Sequence, residues 1–241
     1  MPVNPHVQES KESLTTLPTN RAPETNPDPE TLARQIRKHS GLIYGTCMRV
    51  LKNPHDAQDV TQECVVEYAR KADRITTSVP GWLHSLATRR SIDFIRRQTT
   101  RRHCEQQAAE TNHPDHTDSV HSWTELSTHL DEAIDSLSPE YQEPLLLHYF
   151  QGNSQADLAI TLNVDQSTIS RRLKKAVSEL RNKLEGVGIV TTAISLTGLL
   201  STNAHTGAPA SVTTSVTKAA LDAVGASLPS AGLLSIKTIF G

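Results

Sequence analysis

The sequence has few aromatic residues and few cysteines, and its first residues form no apolar segment. Aromatic residues make up 4% and hydrophobic residues 36% of the 241 residues, so one large, densely packed core is not expected. The three cysteines form no CxxC pair, which favours reduced thiols in the cytoplasm. Residues 1–30 lack an apolar signal core, and we interpret them as a disordered leader.

Motifs of catalysis are missing as well. The chain contains no G-x-S-x-G, Walker-type or H-E-x-x-H motif, so we expect neither an enzyme nor a cofactor. Residues 103–129 hold five histidines and a cysteine, but their irregular spacing argues against a metal site. These residues are His103, Cys104, His113, His116, His121 and His129.

Charge is distributed unevenly along the chain. The formal net charge is only −2, yet residues 31–110 contain 14 basic and 8 acidic residues. Residues 103–130, in contrast, contain no Lys or Arg. Positive charge is therefore concentrated in a segment where a polyanion could use it.

Apolar residues recur at helical spacing in two blocks, and no strand alternation is evident. The first block, residues 31–102, divides into three helices: one that ends before Asn53-Pro54, a second over about 56–71, and a third from Trp82 to Arg102. Residues 78–81 read as a loop, and residues 103–129 as a flexible linker. The second block starts at Leu130 and ends near residue 185. The predicted fold is all-α, with two small helical domains.

Residues 154–176, SQADLAITLNVDQSTISRRLKKA, are typical of a helix-turn-helix. Ala159 is small where two helices cross closely, and Asp165 is placed to cap the second helix through the N–H of Ser167 or Thr168. Short polar side chains and Arg at a helix start suit base edges in a major groove, and later basic residues suit phosphates. The candidates are Gln166, Ser167, Thr168, Ser170, Arg171, Arg172, Lys174 and Lys175.

The third helix of the first block is strongly basic. It carries six Arg and one Asp between Arg89 and Arg102. Leu83, Leu86, Ala87, Ile92 and Ile95 can face inward, while arginines project in pairs toward phosphates. A solvated charged helix end is the alternative interpretation. The paired arginines are Arg89, Arg90, Arg96 and Arg97.

Four segments together resemble the bacterial RNA polymerase sigma factors of the small, extracytoplasmic-function (ECF) type of the sigma-70 family. They are NPHDAQDVTQE (53–63), GWLHSLATRRSIDFIRR (81–97), LSPEYQEPLLLHYF (137–150) and the helix-turn-helix. The resemblance covers residues 34–184. It implies a sigma region 2-like bundle over 31–102 and a sigma region 4-like helix-turn-helix over 130–185, joined by the linker 103–129.

The resemblance also implies a role for each segment. The acidic second helix would dock on core RNA polymerase through Asp56, Asp59, Gln62 and Glu63. Residues 78–82, with Trp82, would capture the unstacked non-template strand of the −10 promoter element, and Arg89, Arg90, Arg96 and Arg97 would bind that strand. The helix that begins at Gln166 would read the −35 element. An anti-sigma factor is a further partner that the resemblance allows.

Two residues depart from the family pattern. Arg89 stands where an Asn is usual, so base preferences at the −10 element are not transferred. Asn163 replaces the usual Gly of the helix-turn-helix turn. Asn tolerates a left-handed backbone, so we expect the turn to be kept.

The C-terminal extension, residues 186–241, has a different composition. Residues 187–204, VGIVTTAISLTGLLSTNA, carry no charge, but six of these eighteen residues are Thr or Ser, which is marginal for a membrane span. A second apolar stretch, 219–240, is interrupted by Asp222, Pro229 and Lys237. Four interpretations stay open: folding back on the two domains, membrane association through residues 186–204, binding of an inhibitor protein, and a weakly structured extension without a regulatory role.

Two other functions compete with that of a sigma factor. A stand-alone helix-turn-helix regulator would not need the acidic and basic helices of the first block. A DNA-processing enzyme would need a nucleophile or a carboxylate cluster, and the sequence offers no convincing one. We therefore expect a cytoplasmic sigma factor that directs promoter recognition, DNA opening and transcription initiation.

Overall fold

The computed structural model describes residues 28–106 and 123–225, and the regular structure of these residues is entirely helical. The all-α prediction is thereby confirmed. Residues 146–150 extend α5 by one π-helical turn. The helices are α1 Pro29–Leu51, α2 Pro54–Lys71, α3 Val79–Gln106, α4 Trp123–Asp135, α5 Pro139–Leu145, α6 Gln155–Thr161, α7 Gln166–Gly186, α8 Ala193–Asn203 and α9 Ala210–Ala223.

Helices α1, α2 and α3 form the first module. The Asp28 carboxylate accepts hydrogen bonds from the N–H groups of Glu30 and Thr31, which begins α1. Residues 1–27 of the expected leader lie outside the described residues. Asn53 caps α2 in the same way, and Pro54 at its first position fits because this position needs no intrahelical N–H bond. The buried core includes Leu32, Ile36, Ile43, Val60, Val65, Tyr68 and Leu83.

Helices α4–α7 form the second module around a second core, to which Leu42 of α1 also contributes. The predicted start of α4 at Leu130 was wrong, since α4 begins at Trp123. Trp123 and Leu126 continue the apolar stripe of Leu130 and Ile134 by one more helical repeat, so residues 123–129 are helix rather than linker. Of the expected linker, residues 107–122 lie outside the described part of the chain.

The C-terminal extension lies against both modules. In α8, Leu196 and Leu200 are fully buried in the second core. In α9, Val212, Val216 and Ala220 are buried in the first core, where α9 packs on α1 and α2. Within the described residues, no helix is both long and apolar enough to cross a membrane. Residues 226–241 lie outside the described chain.

The segment between α8 and α9 crosses α1 at two glycines. A Cβ on Gly45 would lie 3.2 Å from the Cβ of Thr206, and one on Gly41 would lie 3.5 Å from the Thr206 carbonyl oxygen. Glycine inside a helix costs about 1 kcal/mol relative to alanine. The close approach of this segment gives a structural reason for both glycines.

Candidate nucleic-acid interface

The acidic side of α2 faces solvent. Asp59, Gln62 and Glu63 are exposed and Asp56 is half-buried, whereas Val60 on the opposite side is fully buried. This exposure is present with α9 packed on the first module. The four candidate polymerase contacts therefore form one accessible surface.

The start of α3 is helical, so the prediction of a loop over residues 78–81 was wrong for 79–81. The Ser78 hydroxyl accepts a hydrogen bond from the Gly81 N–H at 3.3 Å, and the Ser78 carbonyl accepts one from the Trp82 N–H at 2.9 Å. Pro80 is compatible with this first turn because its missing N–H would have no helical acceptor there. Trp82 lies against Tyr68, with ring centroids 6.3 Å apart.

The second module covers the start of α3. Gly81 is buried, and a Cβ placed on it would lie only 2.5 Å from Oε1 of Gln142 in α5. The Gln142 amide nitrogen in turn donates to the Ile134 carbonyl at 3.2 Å. The cleft left between Trp82 and Pro139 has a volume of about 240 Å³. Residues 78–82 are thus partly covered by α5 while the modules are in contact.

The arginines of α3 are not equivalent. Arg89, Arg96 and Arg97 are exposed, whereas Arg90 makes an ion pair with Glu67 of α2. Burial opposes the Glu67 charge, but Lys71 and Arg90 outweigh it and hold the pKa of this carboxyl below its usual value. Arg90 therefore fixes α3 to α2 in addition to adding positive charge.

The buried part of α3 is shorter than its apolar pattern predicts. Leu83, Leu86 and Ala87 are buried, as expected, but Ile95 is 41% exposed. The inward placement of Ile95 was therefore wrong. Ile95 lines a cleft of about 320 Å³ that stays open between α3, the end of α1 and α4, with Val50 and Glu132 on its other walls.

The helix-turn-helix has the predicted turn. Asn163 has a φ of 52°, which confirms the left-handed conformation expected of it. Asp165 is the N-cap residue of α7, but its side chain makes no cap hydrogen bond. The predicted side-chain bond was wrong because the Asp165 carbonyl oxygen receives the Thr168 N–H instead, at 2.9 Å.

Most of the recognition candidates on α7 face solvent. Gln166, Ser167, Arg171, Lys174 and Lys175 are exposed, and Thr168, Ser170 and Arg172 are half-buried.

Two neighbours border this surface. Arg172 makes an ion pair with Glu140 of α5 at 3.2 Å. Ser170 and Lys174 line an open cleft of about 430 Å³, whose other wall is Ile194 and Thr197 of α8. The start of α7 is thus accessible, whereas its middle lies beside α8.

A buried polar network joins the two modules, and the sequence did not single out its members. Arg49 of α1 donates two hydrogen bonds to Asp131 of α4 through Nη2, at 2.7 Å, and Nε, at 3.1 Å. His84 of α3 lies between two carboxylates of α4, 2.9 Å from Asp131 and 2.7 Å from Asp135. A histidine on the inward, apolar side of α3 was the only signal available in the sequence.

The ionisation of the network follows from its geometry. Burial opposes protonation of His84, but its hydrogen bonds to Asp131 and Asp135 outweigh burial and raise the pKa of His84 above its ordinary value. Burial likewise opposes the charge of Asp131, but Arg49 and His84 outweigh it and lower the pKa of Asp131. A charged Asp131, hydrogen-bonded to both Arg49 and His84, therefore holds α4 against α1 and α3.

No group of three or more His, Cys, Asp or Glu side chains is placed to hold a metal ion within the described residues. Most of the histidine-rich segment is not among them. The side chains of His103, Cys104, His113, His116 and His121 lie outside the described part, and only His129 is inside it.

Two family models match the chain. The model of sigma-70 region 2 matches residues 35–101, and that of sigma-70 region 4 matches residues 128–180. The first range lies within the first module and the second range within the second module.

Curated relatives are similar over the same part of the chain. The ECF RNA polymerase sigma factor SigE of Mycolicibacterium smegmatis is 28% identical over 156 residues, which are 62% of this chain and 60% of SigE. SigW of Bacillus subtilis is 26% identical over 172 residues, which are 65% of this chain and 90% of SigW. The match thus spans less than two thirds of SigE.

Among solved structures, the sigma factor RpoE of Bartonella quintana, in complex with the anti-sigma factor NepR, is similar at 17% identity. The similarity covers 65% of this chain and 93% of RpoE, with a TM-score of 0.27.

Proposed function

Because the chain belongs to the sigma-70 family of RNA polymerase sigma factors through both helical modules, we propose that it binds core RNA polymerase and directs it to promoters. There it recognises the promoter, helps to open the DNA and starts transcription. The carrying observation is that an acidic and a basic surface lie on the first module, while a helix-turn-helix lies on a second module with its own core.

The acidic surface of α2 is proposed to hold the polymerase. Asp59, Gln62 and Glu63 are exposed on one side of a helix whose other side is fully buried. Such a surface keeps its shape when it binds, since the buried residues fix the helix and only side chains have to adjust. Asp56, one turn before them, extends it.

The start and the basic side of α3 are proposed to bind the opened −10 element. Trp82 offers an aromatic ring on which an unpaired base can stack. Arg89, Arg96 and Arg97 are exposed along the same helix and can hold the strand's phosphates. Arg90 keeps this side oriented through its ion pair with Glu67.

The start of α7 is proposed to read the −35 element in the major groove. Gln166, Ser167 and Arg171 are exposed at the helix N-terminus, where base-edge contacts are made in helix-turn-helix proteins. Thr168 and Ser170 lie between them, and Arg172, Lys174 and Lys175 follow toward the phosphates.

Splitting recognition between two modules makes promoter spacing part of the specificity. Each contact alone is weak, but once the first is made, the second occurs at a high effective concentration. Polymerase performs the chemistry, so the chain itself needs no catalytic residue or cofactor. We place it in the cytoplasm, where its polymerase acts.

Titration of fluorescently labelled full-length protein with sigma-free core RNA polymerase tests this proposal. The chain should bind, and replacing Asp59, Gln62 and Glu63 together with alanine should weaken binding by roughly tenfold or more while the helical circular dichroism stays unchanged. Asp222→Ala, an exposed acidic residue of α9, is the matched control and should bind like the wild type. A wild-type chain that does not bind core polymerase would favour the stand-alone regulator.

A further inference from the structure

The C-terminal extension connects the two modules. Leu196, Leu200 and Ala204 are fully buried in the second core, and a few residues later Val212 and Val216 are buried in the first. Residues 187–225, called the strap below, therefore have one helix anchored in each module.

The crossing point between α8 and α9 touches both modules. The His205 ring nitrogen Nδ1 lies 3.0 Å from the carbonyl oxygen of Phe150 in the second module. The next residue, Thr206, lies against Gly45 of the first module, where an added Cβ would be only 3.2 Å from the Thr206 Cβ. At the start of α9, the Thr213 hydroxyl lies 3.3 Å from that of Ser40 in α1.

The strap stabilises the packing of the second module against the first. With both ends anchored, the strap holds α4 and α5 close to α1 and α3 and so raises the effective concentration of the contact between them. In this arrangement Gln142 lies on Gly81, so the predicted −10-binding residues 78–82 are covered. On the other module, α8 borders Ser170 and Lys174 of the recognition helix.

The strap does not cover the acidic surface of α2. Asp59, Gln62 and Glu63 remain exposed while α9 is docked. The closed arrangement thus covers the start of α3 and leaves the candidate polymerase surface and the start of α7 open.

We propose that residues 187–225 are an autoinhibitory strap, which keeps the start of α3 covered by α5 until the strap is released, without blocking polymerase docking. This proposal rests on the sigma function proposed above. In the closed state the chain can join polymerase, but it captures the −10 strand only after the modules separate.

Val216→Glu in the full-length protein tests the strap, because it places a charge at a fully buried position of α9. Thr214→Glu adds the same charge on the exposed side of the same helix and is the matched control. A second route avoids the core: a protease recognition sequence inserted at exposed Gly188, which has open space around its Cα and a positive φ, allows the strap to be cut after folding.

Hydrogen exchange of residues 78–86 is the first readout, and it requires no polymerase. Release of the strap by either route should speed exchange there by roughly tenfold, since it raises the population of the separated modules. Thr214→Glu should exchange like the wild type. Unchanged exchange after both V216E and strap cleavage would overturn the proposal.

Core-polymerase binding and single-round transcription from the chain's own upstream region are the second readout. Release should leave core binding within about twofold and increase transcript by about threefold or more. Equal transcription by the closed and released forms would overturn the inhibitory role, even with faster exchange. Absence of core binding by every form would instead refute the sigma function, which the exchange readout does not require.

Discussion

Nη2 of Arg49 lies 2.7 Å from an Asp131 carboxylate oxygen, with both side chains almost fully buried, although 82 residues separate the two in the sequence. The Arg49 guanidinium also lies 4.6 Å from the centre of the Phe150 ring. This pair links the first module to the second.

Asp131→Asn should destabilise the protein by about 3–5 kcal/mol, because it leaves the Arg49 charge buried without its counter-ion. Urea unfolding followed by circular dichroism measures this change. The double variant R49M/D131N should recover much of the loss, since it removes the unpaired charge. Equal stability of D131N and the wild type would show that the pair does not hold the modules together.

The raised pKa of His84 predicts a loss of stability at alkaline pH. Asp131 and Asp135 from α4 and Arg49 from α1 are the charged groups around this ring. The contribution of His84 to the free energy of unfolding should be complete below pH ~6.5, the pKa of histidine in the unfolded chain. It should disappear as the pH rises through the raised pKa of His84 in the folded protein. The urea concentration at the unfolding midpoint should fall between pH 6 and pH 9 for the wild type, and it should change less for His84→Gln. Parallel pH curves for the two proteins would contradict this role of His84.

His39 predicts the opposite behaviour at acidic pH. Burial lowers its pKa from 6.5 to about 4, so the neutral ring accepts a hydrogen bond from the Gln151 amide nitrogen at 2.7 Å. Because the unfolded chain takes up this proton first, stability should fall as the pH drops from about 6.5 to about 4. His39→Gln should show a shallower fall over this window, and an equally steep one would exclude His39 as its cause.

Substitutions of Arg90 and Arg97 should affect stability to different extents. Arg97→Ala, at an exposed position, should weaken promoter binding by the polymerase complex while leaving the unfolding free energy within about 0.5 kcal/mol. Arg90→Ala should also lower stability, by up to about 1 kcal/mol, because it removes the partly exposed ion pair with Glu67. Similar stability effects of the two substitutions would contradict this division.

Two residues of α7 should affect −35 recognition differently. Lys175→Ala should weaken binding to all sequences alike and reduce the salt dependence by about one phosphate contact. Arg171→Ala should instead relax the preference at one −35 position, at a cost of about 1–3 kcal/mol. Competition binding of promoter variants at several salt concentrations distinguishes them. A uniform loss for both would mean that Arg171 contacts phosphate.

The sequence allowed the local features of the fold to be predicted well. The break at Asn53-Pro54, the helix-turn-helix and the left-handed Asn163 depend on neighbouring residues, and the structure has them all. The polymerase and DNA contacts stay predictions, although most of the side chains concerned are exposed.

Contacts between distant segments could not be predicted in the same way. Nothing near Arg49 in the sequence indicates that Asp131 is its partner. The apolar spacing of Val212, Val216 and Ala220 shows that α9 has a buried side, but it does not show which helices cover that side. The partners of α9, which are α1 and α2, become evident only when the chain is folded. The start of α3 is a further example. The Ser78 hydroxyl accepts a hydrogen bond from the Gly81 N–H there, but the sequence of residues 78–81 is equally compatible with a loop.

Run-off transcription with purified chain, sigma-free core polymerase and the DNA upstream of the chain's own gene tests the sigma function most directly. We predict a discrete transcript that requires both the chain and the core, and that is lost when Asp59, Gln62 and Glu63 are replaced together. Core polymerase that gives the same transcript without the chain would contradict the proposed function.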